Sequence, residues 1–205
     1  MLPLGVVVAG GSAERMGGGE KPLLPLGGRP LIEHVVERVR PQLSELVLNV
    51  RDEQSDRYAD IGGGSLPFLF DAFGGQAGPL GGVLAGLDWA ATKAASAWLA
   101  SFPSDTPFLP YDLVSRLMSV ADDDVPVVAT AGGRIQALCA VWPVSCRDRL
   151  RSGVEAGRYK SLWWTLSDLG AQECAFDDEE AFFNVNTVQD LARAEQLAGP
   201  GRGGA

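Results

Sequence analysis

The apolar residues in the first half of the chain occur in short runs that glycine- and proline-rich segments separate. The runs lie at residues 4–9, 45–50, 66–70 and 97–102. Each run is too short for a helix with its own apolar face, and its length suits a strand buried in a parallel sheet. Helices are expected between the runs, at residues 30–40, 52–60 and 80–92. This alternation predicts parallel βαβ units with right-handed crossovers.

The second half of the chain continues the same pattern and adds a reversed pair of strands. Residues 125–130 and 135–142 predict two strands that pair in antiparallel fashion across Gly132 and Gly133. Further elements are expected as helices at 109–120, 145–152, 161–168 and 188–197, a short strand at 173–176 and an extended segment at 182–186. Thr187 is the expected N-cap of the last helix. The pattern therefore predicts an α/β fold with a mostly parallel sheet.

The first predicted strand opens into a glycine-rich loop that ends at Lys21. The loop contains Gly10, Gly11, the glycines at 17–19 and the cation Arg15. Glycines let backbone N–H groups approach an anion closely, and two cations add charge, so the loop suits a bound polyphosphate. It is neither a Walker A loop nor a dinucleotide-binding fingerprint, because it lacks the residue spacing of both. The competing interpretation is a flexible surface turn.

Polar residues stand where the other predicted strands end. Asn49 lies near the end of the second strand, Asp71 follows the third and Asp105 follows the fourth. Ligands of open parallel sheets bind at the carboxyl ends of the strands, which makes these residues candidates for a site. Asp105 lies between two prolines and would be a stiff ligand for Mg²⁺, which is commonly held by one or two carboxylates plus substrate phosphates. The simpler interpretations are turn or cap residues for the two aspartates and a satisfied strand-end amide for Asn49.

Composition excludes several classes of function. The net charge of −9 argues against a nucleic-acid backbone or an anionic membrane as the main partner. The 3 cysteines form no C-x-x-C pair and there is 1 histidine, so neither a disulfide framework nor a Cys/His zinc site is expected. No signal peptide or membrane-spanning run is recognised, and the expected location is the cytoplasm. The length of 205 residues suits one domain over residues 1–198, with a disordered tail at 199–205.

The candidate residues suit phosphoryl or nucleotidyl transfer, a chemistry that needs mainly positioning and charge neutralisation. No Ser-His-Asp set or histidine cluster is available for acid–base work, since His34 is the single histidine. An attacking phosphate monoester has a second pKa near ~6 and is therefore largely dianionic at neutral pH. Such a nucleophile needs no general base.

Four segments of the chain resemble the molybdenum cofactor guanylyltransferases, the molybdopterin-guanine dinucleotide biosynthesis protein A family of the nucleotidyltransferase superfamily. They are VVVAGGSAERMG at 6–17 with Lys21, GPLGG at 78–82, DTPFLP at 105–110 and FNVNT at 183–187. The first segment alone indicates only the superfamily, and the later ones narrow the resemblance. The match runs in order to about residue 197.

The resemblance implies a Rossmann-like, mostly parallel three-layer sandwich of the nucleotide-diphospho-sugar transferase type, with a β-hairpin excursion in the second half. The implied reaction transfers GMP from GTP to molybdopterin carrying molybdenum, and gives the guanine dinucleotide cofactor and pyrophosphate. Mg²⁺ is the implied cofactor. GTP and molybdopterin are the implied small-molecule partners, with cofactor-delivering or molybdoenzyme-maturation proteins as candidate protein partners. A monomer is expected.

The same resemblance assigns roles to individual residues. The nucleotide would be bound at Val8, Ala9, Gly10, Gly11, Lys21, Asn49, Asp71 and Asp105. Arg15 and Lys21 would neutralise the triphosphate and the leaving pyrophosphate, and Asp105 would bind the metal, which makes these three the catalytic set. Asn49 and Asp71 would hold the base and ribose, and the double glycine at 10–11 tends to accompany guanine rather than cytosine in this family. Lys160, Asn184 and Asn186 would line the acceptor side.

The chain also departs from the family pattern. Glu20 replaces the usual Asp before the loop lysine, Ser104 stands where relatives often have Cys, and residues 134–138 lack the usual His-Pro. The last departure leaves the acceptor less certain than the reaction type. The alternatives are therefore cytidylyl transfer to molybdopterin, transfer to a sugar phosphate, or a catalytically idle nucleotide-binding adaptor. Trp163 and Trp164 are interpreted as core residues rather than as a docking surface.

Overall fold

A seven-stranded sheet forms the centre of the protein in its computed structural model, which describes residues 2–9, 20–71, 73, 76–93, 97–122 and 124–199. The strands of this sheet and of a small separate hairpin are β1 (Leu4–Val8), β2 (Pro25–Leu26), β3 (Arg29–Pro30), β4 (Glu45–Asn49), β5 (Phe68–Leu69), β6 (Trp98–Pro103), β7 (Val127–Ala131), β8 (Arg134–Pro143) and β9 (Gln172–Phe176). The central order is β5-β4-β1-β6-β8-β7-β9.

The register of the central strands aligns their carboxyl ends. β1 pairs in parallel with β4 on one side and with β6 on the other, and Val8 lies opposite both Asn49 and Pro103. β4 also pairs in parallel with β5, and β7 with β9, whereas β8 runs antiparallel to both of its neighbours. The predicted mostly parallel α/β sheet is therefore confirmed, and three successive strands end at one edge.

Helices cover both faces of the sheet and give three layers. They are α1 (Leu31–Val39), α2 (Pro79–Ala91), α3 (Leu113–Ser119), α4 (Arg147–Glu155), α5 (Leu162–Asp168) and α6 (Val188–Leu197). On one face, α1 and α3 pack Val35 and Leu113 into a core with the sheet residue Phe102. On the other, α2 and α5 pack Leu84 and Leu166 against strand residues. Because β1 contributes residues to both clusters, its Leu4–Val8 run is buried throughout, as an apolar central strand requires.

The predicted hairpin in the second half lies within the sheet. β7 and β8 pair in antiparallel fashion, and the turn between them uses Gly132 and Gly133 at φ +56° and +69°. This left-handed backbone is strained for residues with a side chain, which explains the double glycine. The hairpin is confirmed, and its second strand is inserted between β6 and β7.

Some elements differ from the sequence-based expectations. Residues 25–30 form a second hairpin through Gly27 and Gly28, which the sequence pattern did not predict, and the helix expected from residue 30, α1, begins at Leu31. The helix predicted from residue 109 begins at Leu113, because a proline at 110 disfavours helical backbone at the residue before it.

The interpretation of the tryptophan pair as core is wrong. Trp163 and Trp164 lie at the start of α5 with 56% and 52% of their surface exposed. Helical spacing places Leu162, Thr165 and Leu166 on the buried side of this short helix instead. The two rings lie 6.5 Å apart and pack against each other at 40°.

The last helix begins as predicted at a capped threonine. The Thr187 hydroxyl accepts from the Asp190 backbone N–H, and the Asp190 carboxylate accepts from the backbone N–H of Thr187, which forms a capping box. The predicted tail falls almost entirely on residues 200–205, which lie outside the described residues. In the described part of the chain, no helix is both long and apolar enough to cross a membrane.

Candidate active site

Lys21 and Asp105 meet at the carboxyl edge of the sheet, although they are 84 residues apart in the chain. Lys21 opens a short 3-10 helix after the glycine-rich loop, and Asp105 follows β6. The Lys21 ammonium donates to the Asp105 carboxylate and, at 2.5 Å, to Asn186 Oδ1. With 16% and 22% of the two charged side chains exposed, the pair is accessible yet partly shielded from water. A cation, a carboxylate and an amide thus share one point.

The segment that carries Asn184 and Asn186 is tied to the turn after β6. The Val185 backbone N–H donates to the Asp105 carbonyl at 2.9 Å. The Thr106 hydroxyl donates to Asn184 Oδ1, and Thr106 itself is 1% exposed. Val185 is fully buried between two exposed asparagines. Alternation along an extended segment therefore turns both asparagine side chains outward, and that of Asn186 contacts Lys21.

The Asp190 carboxylate holds the end of this segment by accepting from the Asn186 backbone N–H at 3.0 Å and from that of Thr187 at 2.9 Å. Burial alone would raise the pKa of Asp190, but these hydrogen bonds, together with the nearby Lys21 charge, lower it below its usual value. Asp190 is therefore ionised at neutral pH. The cap of α6 and the position of Asn186 depend on the same carboxylate.

Asn49 and Asp71 lie together at the ends of β4 and β5. The Asn49 carboxamide donates to the Leu69 carbonyl at 3.3 Å and to Asp71 Oδ1 at 3.4 Å. Asn49 is 1% exposed, whereas Asp71 is partly open to solvent. Burial raises the pKa of Asp71, and the hydrogen bond from Asn49 and the charge of Arg51 oppose that rise. Asn49 and Asp71, the two residues expected to hold the base and ribose, are therefore in contact. Asp71 is the more exposed of the two.

Glu20 supports the turn that carries Lys21. Its side chain is 9% exposed and forms an ion pair with Arg57 at 2.9 Å. The Glu20 carbonyl accepts from the Leu23 backbone N–H at 3.0 Å, which starts the turn that carries Lys21. Burial and the adjacent Glu20 carboxylate raise the pKa of Tyr58, so this buried phenol stays neutral. The ion pair with Arg57 therefore anchors Glu20 and the turn that begins there.

Lys160 lies apart from the asparagines and lines a cavity of about 920 Å³. The cavity is lined by the turn that leads into α2, including Gly78 and Pro79, and by Tyr159 and Lys160 before α5. Where the structure describes the chain, no hydrogen bond or ion pair joins Lys160 to Asn184 or Asn186. The three predicted acceptor residues thus divide into two groups.

The remaining predicted residues lie along β1 or in the loop after it. Val8 is the last residue of β1, and the Ala9 N–H donates to the Asn49 carbonyl at 2.8 Å. Gly10, Gly11 and Arg15 lie outside the described residues. The structure therefore brings Ala9 beside Asn49 and Lys21 beside Asp105.

The described residues suit a divalent cation only if oxygen atoms of the substrate also coordinate it. Among the described residues, no group of three or more His, Cys, Asp or Glu side chains is placed to hold a metal ion. Asp105 supplies a single carboxylate, which is the donor set expected when phosphate oxygens and water complete the coordination of Mg²⁺. The partly exposed carboxylate beside Lys21 meets that description.

Sequence reasoning missed the residues that hold the site together. Thr106 follows Asp105, but nothing in the sequence indicates that its hydroxyl reaches Asn184, 78 residues away. Asp190 could have been found, because an acidic residue three positions after Thr187 is a capping-box signal. Gly82 packs directly against Asn49, and the only sequence signal for it is the double glycine at 81–82.

The fold and the charged edge define a nucleotidyltransferase, and comparison with known proteins agrees. Residues 5–168 match the family profile of the MobA-like NTP transferase domain. A molybdenum cofactor guanylyltransferase of Cereibacter sphaeroides is 44% identical over 197 residues, covering 96% of this chain and 97% of its own. This chain belongs to the molybdenum cofactor guanylyltransferase family and is an enzyme of the nucleotidyltransferase class.

Solved structures support the same assignment of the fold. Molybdopterin-guanine dinucleotide biosynthesis protein A from Archaeoglobus fulgidus superposes with a TM-score of 0.75 at 25% identity, covering 95% of this chain and 97% of that one. The 2-C-methyl-D-erythritol 4-phosphate cytidylyltransferase of Thermus thermophilus gives a TM-score of 0.66 at 21% identity, with 94% and 97% covered. The second likeness bears on the fold alone. It confirms the architecture of the nucleotide-diphospho-sugar transferase type.

Asp71→Asn is expected to stabilise the protein at neutral pH. Because the pKa of Asp71 is raised in the folded state, ionisation of this carboxyl disfavours folding as pH rises through the folded-state pKa. Below the unfolded pKa of about 3.9 the carboxyl is protonated in both states, so the difference between variant and wild type should vanish there. Urea unfolding from acid to neutral pH measures this. A variant with a lower free energy of unfolding than wild type at neutral pH would contradict the expected stabilisation.

Proposed function

We propose that this enzyme transfers GMP from GTP to molybdopterin carrying molybdenum, and releases pyrophosphate. The observation that carries the proposal is the contact of Lys21 with both Asp105 and Asn186 at the carboxyl edge of the sheet. It joins a candidate phosphate-binding cation, a candidate metal ligand and a candidate acceptor contact at one point. Membership of the guanylyltransferase family supports GTP and molybdopterin as the substrates.

The chain's own charges would neutralise the triphosphate. The charge of Lys21 is balanced by Asp105. We infer that Lys21 would bind phosphate oxygens of the nucleotide, together with Arg15 from the loop, and that this would free the Asp105 carboxylate. Asp105 would then hold Mg²⁺, which would supply Lewis-acid chemistry there. Preorganised charges of this kind are the largest contribution to catalysis in many enzymes.

The acceptor needs positioning more than activation. Its phosphate monoester has a second pKa near ~6, so it is largely dianionic at neutral pH. The acceptor site should therefore offer hydrogen-bond donors. The carbonyl oxygens of Asn184 and Asn186 are engaged by Thr106 and Lys21, which leaves both amide groups free to donate to oxygen atoms of the acceptor.

The nucleotide would lie along the neighbouring strand ends. The backbone of Val8 and Ala9 comes directly before the glycine-rich loop, and Asn49 with Asp71 would form the wall that holds the base and ribose. We assign the preference for guanine to Gly10 and Gly11 of the loop. The cavity at Lys160 adjoins the Gly78–Pro79 turn and is large enough for a drug-sized ligand. We assign this cavity to a second part of the acceptor site, apart from Asn184 and Asn186.

We place the enzyme in the cytoplasm, acting as a monomer with residues 1–198 as one nucleotidyltransferase domain. The 3 cysteines of the chain are free and buried, as suits a reducing compartment. The net charge of −9 supports small phosphorylated substrates in a local cationic site rather than nucleic acid or membrane. Proteins that deliver the cofactor or mature molybdoenzymes are the candidate protein partners.

Selectivity among nucleotides tests the proposal. The protein is incubated with molybdopterin, Mg²⁺ and each of GTP, CTP, ATP and UTP in turn, and pyrophosphate release is followed. We expect release with GTP that requires both molybdopterin and Mg²⁺.

Each other outcome selects one of the alternatives. A preference for CTP would replace the guanine assignment with cytidylyl transfer. Release that requires a sugar phosphate in place of molybdopterin would change the acceptor. Binding of nucleotide without turnover of any acceptor would indicate an adaptor and would contradict an enzymatic role.

Asp105→Ala is expected to reduce turnover by about 10²–10³-fold, the usual cost of removing one preorganised electrostatic contact. The fold should survive, because the side chain is partly exposed and its Lys21 partner keeps Asn186. Asp112→Ala is the matched control, since Asp112 is exposed and its side chain makes no capping bond at the start of α3. Activity of Asp105→Ala close to that of the control would refute the metal role.

A further inference from the structure

The start of α2 packs directly on the end of β4, with no side chain between the helix backbone and Asn49. A Cβ atom built on Gly82 would lie 2.4 Å from Asn49 Oδ1, 3.0 Å from Asn49 Cγ and 2.8 Å from Val8 Cγ1. Real Cβ atoms do not approach other atoms below about 3 Å. A side chain at position 82 would therefore have to displace the Asn49 carboxamide.

The Asn49 carboxamide has no free space into which it can move. Asn49 is 1% exposed, and its amide group already contacts the Leu69 carbonyl and Asp71 Oδ1. The backbone of the same residue is fixed to β1, because its carbonyl accepts from Ala9 N–H at 2.8 Å. Asn49 thus joins the end of β1 to Asp71, and both ends of this link are candidate nucleotide contacts.

We propose that Gly82 is a positioning residue of the nucleotide site, which acts by leaving room for the Asn49 carboxamide to hold Asp71 in place. This inference rests on the proposed function, since it takes the strand ends at Ala9 and Asp71 as the nucleotide-binding wall. Asn49 is then the inner support of that wall, and Asp71 is the residue that faces the nucleotide.

Gly86, one turn further along the same helix, provides an internal comparison. A Cβ atom on Gly86 would lie 2.9 Å from Leu99 Cδ2 and 2.9 Å from Val6 Cγ1. Both are side chains of the apolar core and not of the proposed nucleotide wall. Gly82→Ala and Gly86→Ala gain the same helix propensity, and both overpack the space between α2 and the sheet. They differ in whether the side chain that the new Cβ atom strikes supports Asp71.

The test compares Gly82→Ala with Gly86→Ala by the displacement of a fluorescent GTP analogue from the complete protein. Restoring the Asn49 carboxamide to its place should cost about as much free energy as overpacking a core typically does, and we therefore expect Gly82→Ala to raise the Kd for GTP by about 10- to 100-fold. Gly86→Ala should change the Kd by less than about threefold, because its Cβ atom meets only apolar core side chains. In turnover, Gly82→Ala should raise the KM for GTP and leave the KM for molybdopterin unchanged.

A third variant separates positioning from damage to the fold. Asn49→Ala removes two of the three atoms nearest to a Cβ atom at position 82 and leaves Val8 Cγ1, so adding Gly82→Ala should cause little further loss of GTP affinity. Gly82→Ala and Gly86→Ala, which both overpack the space beneath α2, should also unfold cooperatively, with similar melting temperatures. Equal GTP affinity of Gly82→Ala and wild type, or a full additional loss in the double variant, would overturn the proposal. If the wild-type protein binds no GTP, the proposed function fails instead.

Discussion

The parallel register of β1 with β4 and β6 is the constraint on which the rest of the structure depends. Because Val8 lies opposite both Asn49 and Pro103, the chain segments after these strands leave the sheet at the same level. Asp105 and the loop before Lys21 then begin as neighbours, and the Ala9–Asn49 hydrogen bond continues the pairing beyond β1. β1 is buried throughout, and the polar side chains of the described site lie just beyond the ends of the strands. A shift of register would separate Lys21 from Asp105.

The site is held by contacts that are not themselves part of the proposed chemistry. Asp190 caps α6 and fixes Asn186, Thr106 fixes Asn184, and Glu20 with Arg57 anchors the turn that carries Lys21. Charge is balanced locally, since Lys21 faces Asp105. In the proposed function, a triphosphate and a divalent cation, which bring opposite charges, would replace this internal pair without leaving an unpaired ion. An acidic protein would thus keep a cationic group at the proposed triphosphate site.

The sheet could be predicted from sequence because short apolar runs and their helical partners have distinct periodicities. The strand ends at Asn49, Asp71 and Asp105 followed from the same argument, and Thr187 from its capping preference. The Gly27–Gly28 hairpin was missed because its strands are only two residues long, too short to show alternation. The tryptophan pair was misplaced because composition favours burial of aromatic residues, while the orientation of α5 is set by Leu162 and Leu166. Thr106 and Gly82 act through distant partners, which no local pattern reveals.

The central claim is that the edge around Lys21 and Asp105 moves the nucleoside monophosphate of GTP onto molybdopterin. The most direct measurement follows the fate of each phosphorus atom of GTP. With GTP labelled at the α-phosphorus, we expect the label to appear in a guanine dinucleotide of molybdopterin. Label at the β- or γ-phosphorus should appear in pyrophosphate. Label from the α-position that remains in GTP or appears as free GMP, with no dinucleotide formed, would contradict the account.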